Sequence, residues 1–91
     1  MVKQFIMPFL IGDLRSKIMK FHYYKDTDAL YIDLSSKSSV DSEEIVPGIV
    51  LDFDKHHRLV GIDIQHASKN VDFSSLEAEE IPIKKVLINQ K

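Results

Sequence analysis

The chain has 91 residues, no cysteine, 12 basic and 14 acidic residues, and a formal net charge of −2. This length is one domain, near the lower limit at which an apolar core supports an independent fold, so a docked terminus or a homodimer would help it. The charge balance leaves no basic footprint for nucleic acid. The lack of thiols excludes a disulfide framework, a thiolate nucleophile and a thiolate metal site, and fits a reducing cytoplasm.

Near the N-terminus, Phe5-Ile-Met-Pro-Phe-Leu-Ile-Gly12 follows Lys3 and has the outline of a short signal h-region. The run falls far below the roughly 18 apolar residues of a spanning helix. Asp13 and Arg15 interrupt it and no small-x-small cleavage site follows. Residues 1–18 therefore read as an N-terminal arm or extension, either packing on the domain or preceding a start at Met19. Residues 19–91 read as the domain, with no membrane association expected.

From Lys20 the pattern is that of strands. Lys20-Phe-His-Tyr-Tyr24 alternates Phe21 and Tyr23 against Lys20, His22 and Tyr24, the period of a half-buried strand. Lys25-Asp-Thr-Asp28 is a turn. Ala29 to Ser35 resumes the alternation, with Leu30, Ile32 and Leu34 opposed by Tyr31 and Asp33. Residues 35–42 are polar and serine-rich, suited to a connection. Glu43 to Val46 begins another short strand before Pro47-Gly48 breaks or bulges it.

The segment GIVLDFDKHHRLVGIDI, residues 48–64, sets aspartates in the middle of two apolar strands. In the first, Ile49, Leu51 and Phe53 oppose Val50, Asp52 and Asp54. In the second, Val60, Ile62 and Ile64 oppose Gly61 and Asp63. A hairpin must bring both apolar sets to one side, because a one-residue slip inverts one of them. Pairings such as Leu51 with Val60 meet this condition, through an even loop or an odd loop with one bulge. The aspartates then gather on the opposite face.

Beyond His66 the alternation stops. Ala67-Ser-Lys-Asn70 reads as a turn, and Ser74 or Ser75 as the cap of a short helix through Leu76-Glu-Ala-Glu-Glu80 that Pro82 ends. Val86-Leu-Ile88 suits an edge strand or a docking tail. The fold class expected is α+β: a small, mainly antiparallel sheet of four to five strands in a meander or hairpins, with a short C-terminal helix. Its core should contain Phe21, Tyr23, Leu30, Ile32, Leu34, Ile49, Leu51, Phe53, Val60, Ile62 and Ile64, and segment 66–88 should cover one face.

Three stretches, MKFHYYKDTDALYIDLS (19–35), SEEIVPGIVLDFDKHHRLVGIDIQHASK (42–69) and, more loosely, NVDFSSLEAEEIPI (70–83), resemble DUF2283, a family of small bacterial and archaeal proteins of unknown function. The combination of D-A-L-Y-I, G-I-x-L-D-x-D and R-x-V-G-I-x-I-x-x-A-S-K carries the resemblance. The chain departs from the family at His57, where glycine is usual, so the turn should be kept with some strain. The resemblance implies a small antiparallel β domain, no established catalytic activity, and frequent occurrence beside small toxin genes. It supplies no active-site residues.

Tyr31, Asp33, Asp52 and Asp63 share the polar face in this register and are the candidate partner-binding residues. They form a solvated face partly neutralised by Lys20 or Arg58, a docking surface for a basic partner, or a site for a hard divalent cation with oxygen ligands. His56-His57 beside Asp54 lacks a third ligand set by spacing, and reads as an exposed turn. His22 and His66 stand alone. Residues 35–42 match no nucleophile motif. Asp26 and Asp28 lack the glycine and terminal glutamate of a calcium loop and suit side-chain turns. Tyr23, Tyr24 and Tyr31 have no interleaved basic residues to make a single-stranded RNA platform.

The functional expectation is a cytoplasmic, non-enzymatic protein-binding domain without catalytic residues, metal or cofactor, resembling an antitoxin that binds a small basic toxin-like protein. The alternatives are a small metal-binding or hydrolytic module on the Asp33/Asp52/Asp63 face, and a dimeric structural subunit.

Overall fold

A computed structural model describes residues 18–89. The arm expected at residues 1–18 lies outside the described residues apart from Ile18. Five strands form one antiparallel sheet: β1 (Lys20–Tyr24), β2 (Ala29–Asp33), β3 (Asp41–Val46), β4 (Ile49–Phe53) and β5 (Leu59–Ile64). One helical turn, α1 (Ala67–Asn70), follows. The α+β class, the antiparallel sheet and the short helix toward the C-terminus are those expected.

The sheet order is β1-β2-β5-β4-β3, so the chain is not a plain meander. The hairpins β1–β2 and β4–β5 form as expected from their turn residues, and Pro47-Gly48, expected to break or bulge a strand, turns β3 into a hairpin with β4. Residues 34–40 then carry the chain from β2 past two strand ends to the far edge, and β5 returns to pair with β2. This is the Greek-key arrangement, run backwards along the chain. The connection is polar and serine-rich, as a segment crossing strand ends in water must be.

Each turn is held by a side chain or a permissive backbone. Gly48 has φ 90°, and its N–H donates to the Glu44 carboxylate at 3.0 Å. At the β4–β5 turn the Asp54 carboxylate is buried and accepts the N–H groups of His56 and Arg58 at 2.8 and 2.9 Å. Those donors, Arg58 first, hold the Asp54 carboxyl below its ordinary range. His57 adopts φ 63°, the left-handed conformation expected for it. Its ring stacks on Phe53, with centroids 4.8 Å apart and planes 12° from parallel.

The register places every strand residue of the expected core on one face. Phe21 pairs with Ile32, Leu30 with Ile64, Ile32 with Ile62, and Leu51 with Ile62. Leu51 therefore faces Ile62 and not Val60. The five-residue turn is followed by a bulge at Asp52/Phe53 that takes up Val60, so the faces are as expected and the pairing is shifted by two.

Burial is the larger correction. Among the described residues, the only buried apolar side chains are Leu30, Val60 and Ala67, whereas Phe21, Tyr23 and Leu34 are exposed. The segment expected to cover the sheet does not do so. The helix forms at Ala67–Asn70, earlier than Leu76–Glu80, and residues 71–89 contain neither helix nor strand. The Leu76–Glu80 stretch has one apolar anchor per turn and nothing to pack it against, and isolated helices of that length are unstable.

His57 balances backbone strain of roughly 1–2 kcal/mol against an aromatic contact of roughly 0.5–1.5 kcal/mol. His57→Gly removes both and should change stability by less than about 1 kcal/mol, while His57→Ala keeps the strain without the stacking and should be the less stable of the two. Urea denaturation of the three proteins measures this order; His57→Ala matching or exceeding His57→Gly would contradict it.

Candidate functional site

The face opposite the aliphatic one is organised in two cross-strand rows. The first runs Lys20, Asp33, Gly61, Asp52, Ser42; the second runs His22, Tyr31, Asp63, Val50, Glu44. The period-2 alternation of five strands in register is what brings these side chains together. Tyr31, Asp33, Asp52 and Asp63 thus share one face, as the sequence pattern required.

At its centre Tyr31 on β2 reaches Asp52 on β4, two strand spacings or roughly 9.6 Å away. Its phenol crosses β5 above Gly61, where a Cβ would overlap the ring and hydroxyl. The hydroxyl donates to Asp52 Oδ2 at 2.7 Å, and Ser42 Oγ donates to Asp52 Oδ1 at 2.6 Å. One carboxylate therefore joins β2, β4 and β3 over the top of β5.

Burial under this bridge pushes the Tyr31 phenol up from its ordinary value, helped by the bond to Asp52 and the charges of Asp52, Asp33 and Asp63, so it remains a donor at neutral pH. Asp63 lies beside Tyr31 and is half-buried. Desolvation first, and the Asp52 charge second, raise its carboxyl above the ordinary range.

Asp28 forms a second node at the end of the sheet. Its Oδ1 accepts from the Tyr23 hydroxyl at 2.6 Å and from the Ser68 N–H at 3.0 Å, and its Oδ2 accepts from Ser68 Oγ at 2.7 Å. The Asp28 carbonyl accepts the Ala67 N–H at 2.8 Å. Tyr23, then Ser68, hold the Asp28 carboxyl below its ordinary range. A turn aspartate of the first hairpin thus also anchors the start of α1, with His66 entering in the left-handed conformation at φ 52°. This is a structural tie.

Among the described residues no group of three histidines, aspartates or glutamates is placed to hold a metal ion. Both oxygens of Asp52 are already engaged by hydroxyl donors. His56 and His57 belong to the turn, and His22 meets Tyr24 edge-on, with ring centroids 4.3 Å apart.

The family model for DUF2283, a protein family of unknown function, matches residues 20–68, more than half of the chain. The chain belongs to this family. The DUF2283 match begins at β1 and ends at Ser68, so it contains both the Tyr31–Asp52–Ser42 bridge and the Asp28–Ser68 tie. The looser resemblance over residues 70–83 lies beyond it. No curated protein and no solved structure matches the chain. Among the described residues, no helix is long and apolar enough to cross a membrane.

Ser42, Glu44 and Gly61 belong to this face and were not singled out by the sequence pattern. Gly61 could have been: a glycine inside an otherwise apolar strand marks close approach of another group. Ser42 and Glu44 depended on the β3–β4 register, which a serine-rich lead-in does not specify.

Tyr31→Phe removes a hydrogen bond to a half-buried carboxylate and should destabilise the fold by about 1.5–3 kcal/mol. Gly61→Ala should displace the same phenol and destabilise by about 1–3 kcal/mol. The pair should be much less than additive, since each abolishes the same contact. A double-mutant cycle by chemical denaturation tests this, and full additivity would mean that the two positions do not share it.

Because the folded-state pKa of Asp63 is raised, its favourable contribution is full below the unfolded pKa near 3.8 and is lost as pH rises through the folded value. Asp63→Asn should therefore be more stable than wild type at pH 7, with the advantage shrinking toward pH 3.5. Thermal denaturation of both proteins across that range reads the difference; a pH-independent gap would contradict the assignment.

Proposed function

We propose that this DUF2283 domain is a non-enzymatic protein-binding domain whose acidic sheet face receives a basic partner. The observation that carries the reading is the charge arrangement. Asp33, Asp52, Asp63 and Glu44 lie on one face within two adjacent rows, whereas Lys20 and His22 stand at the β1 end. Like charges this close across strands destabilise a sheet by tenths of a kcal/mol to about 1 kcal/mol per pair. A basic surface placed over them removes that repulsion and accelerates encounter.

An antitoxin-like role toward a small basic toxin is the specific form of this reading. Its chemical requirement, an acidic docking face on a small domain, is met here. β3 contributes Glu44 to this face, and its three carboxylates, Asp41, Glu43 and Glu44, with the bulge between Glu44 and Val46, discourage strand addition at that edge. β1 is the edge better suited to pairing with an extended segment of a partner.

The metal-binding or hydrolytic alternative needs three converging ligands or an activated nucleophile. The engaged oxygens of Asp52 and the lack of a three-ligand group among the described residues favour the binding reading over it.

Affinity capture from native host lysate tests the proposal, comparing wild type with Asp33→Asn/Asp63→Asn/Glu44→Gln. This variant leaves Tyr31, Asp52 and Ser42 intact, and circular dichroism checks its fold. The expected outcome is salt-sensitive capture of one small basic protein by wild type and at least a tenfold reduction by the variant. Equal recovery of the same proteins by both would remove the acidic face as the docking surface.

A further inference from the structure

We propose that the opposite, aliphatic face of the sheet is the interface of a homodimer, in which two sheets pack face to face across a two-fold axis running along the strands. The proposal starts from a deficit. The sheet is a single layer, and Leu30, Val60 and Ala67 are the only buried apolar side chains among the described residues. No large side chain among those residues is fully buried. Ordering each residue costs roughly 1–2 kcal/mol of backbone entropy, and stable domains offset this by packing two layers around a core. Here the second layer is missing from the described chain.

The segment after α1 does not supply it. Phe73 meets Tyr23 at the β1 edge, with ring centroids 5.1 Å apart, but Leu76, Ile81 and Leu87 are 73%, 51% and 70% exposed. The centre of the face, formed by buried Leu30 and half-buried Ile32, Leu51, Ile62 and Ile64, is aliphatic and free of charge. Those are the properties of an inner face of a β-sandwich, in which aligned sheets lie about 10 Å apart.

A second copy fits this face in area and in charge. Five strands about 4.8 Å apart and about 17 Å long give a flat footprint of roughly 400 Å². Projecting Ile, Leu and Phe side chains raise the accessible area above the footprint, toward the roughly 800 Å² per partner of a stable interface. The carboxylates that intrude on this face, Asp41 and Glu43, are confined to β3 at one edge, while β1 at the other presents Phe21 and Tyr23.

An axis along the strands places β1 of one copy over β3 of the other, which keeps the two acidic edges apart. An axis across the strands would stack β3 on its own copy and bring Glu43 against Glu43. The charge asymmetry therefore selects the first arrangement, an isologous contact that closes at two copies. Both acidic faces then point outward, so the dimer is independent of the binding reading and leaves that face free.

The test uses the full chain. Sedimentation from micromolar to millimolar concentration should give twice the 10.5 kDa chain mass. A soluble paramagnetic gadolinium chelate should broaden the Ile32 and Ile62 methyl resonances several-fold less than that of exposed Ile88, outside the sheet. Ile62→Glu should shift the species to monomer or unfold it, while Asp63→Asn, the next residue but on the other face, should leave the mass unchanged. A monomer at all concentrations would overturn the proposal, including one whose Ile32 and Ile62 methyls are protected by its own chain. A dimer with those methyls as accessible as Ile88 would overturn it in favour of edge pairing, and so would a folded, dimeric Ile62→Glu protein.

Discussion

Everything in this structure depends on one stereochemical constraint: successive side chains of a strand point to opposite faces of the sheet. Five short strands obey it in a common register, so a single layer acquires one aliphatic and one acidic side. Two bulges, one in each of the hairpins β3–β4 and β4–β5, absorb the residues that would otherwise invert a strand. Without the bulge at Asp52/Phe53, the five-residue turn after β4 would set Asp52 against Val60 and Asp63 against Ile49.

The acidic face is held by one inter-strand bridge. Tyr31 spans β5 because Gly61 leaves it room, and Asp52 ends the span because it stands beside Gly61 in the same row. Ser42 extends the link to the edge strand β3. A carboxylate that would repel its neighbours is thereby fixed by two hydroxyl donors, while desolvation first and the Asp52 charge second raise the Asp63 carboxyl above its ordinary range. The face combines internal rigidity with unrelieved negative charge, which suits a preorganised docking surface.

The two sides place different demands on the rest of the molecule. The acidic side needs no cover for the chain to fold: Asp52 is hydrogen-bonded, and Asp63 is half-buried beside Tyr31. The aliphatic side gains free energy only by leaving water, and after β5 the described residues bring Phe73 beside Tyr23 but form no helix or strand beyond the single turn α1.

Much of this was legible in the residues themselves. The strands, the turn at Lys25–Asp28 and the shared face of Tyr31, Asp33, Asp52 and Asp63 follow from local alternation and turn chemistry, which act over a few residues, whereas the positive φ at His57 was implied by the family resemblance. What only the tertiary structure decided was non-local. The insertion of β5 between β2 and β4 depends on pairing segments about 30 residues apart, the two-residue shift from Leu51–Val60 to Leu51–Ile62 on where the bulge falls, and the Tyr31–Asp52–Ser42 bridge on strands that are not neighbours in sequence. Burial was the least legible property. Periodicity says which face an apolar side chain occupies, but only the placement of a second layer decides whether that face is covered, and here the helix expected to provide it gives way to a turn of four residues.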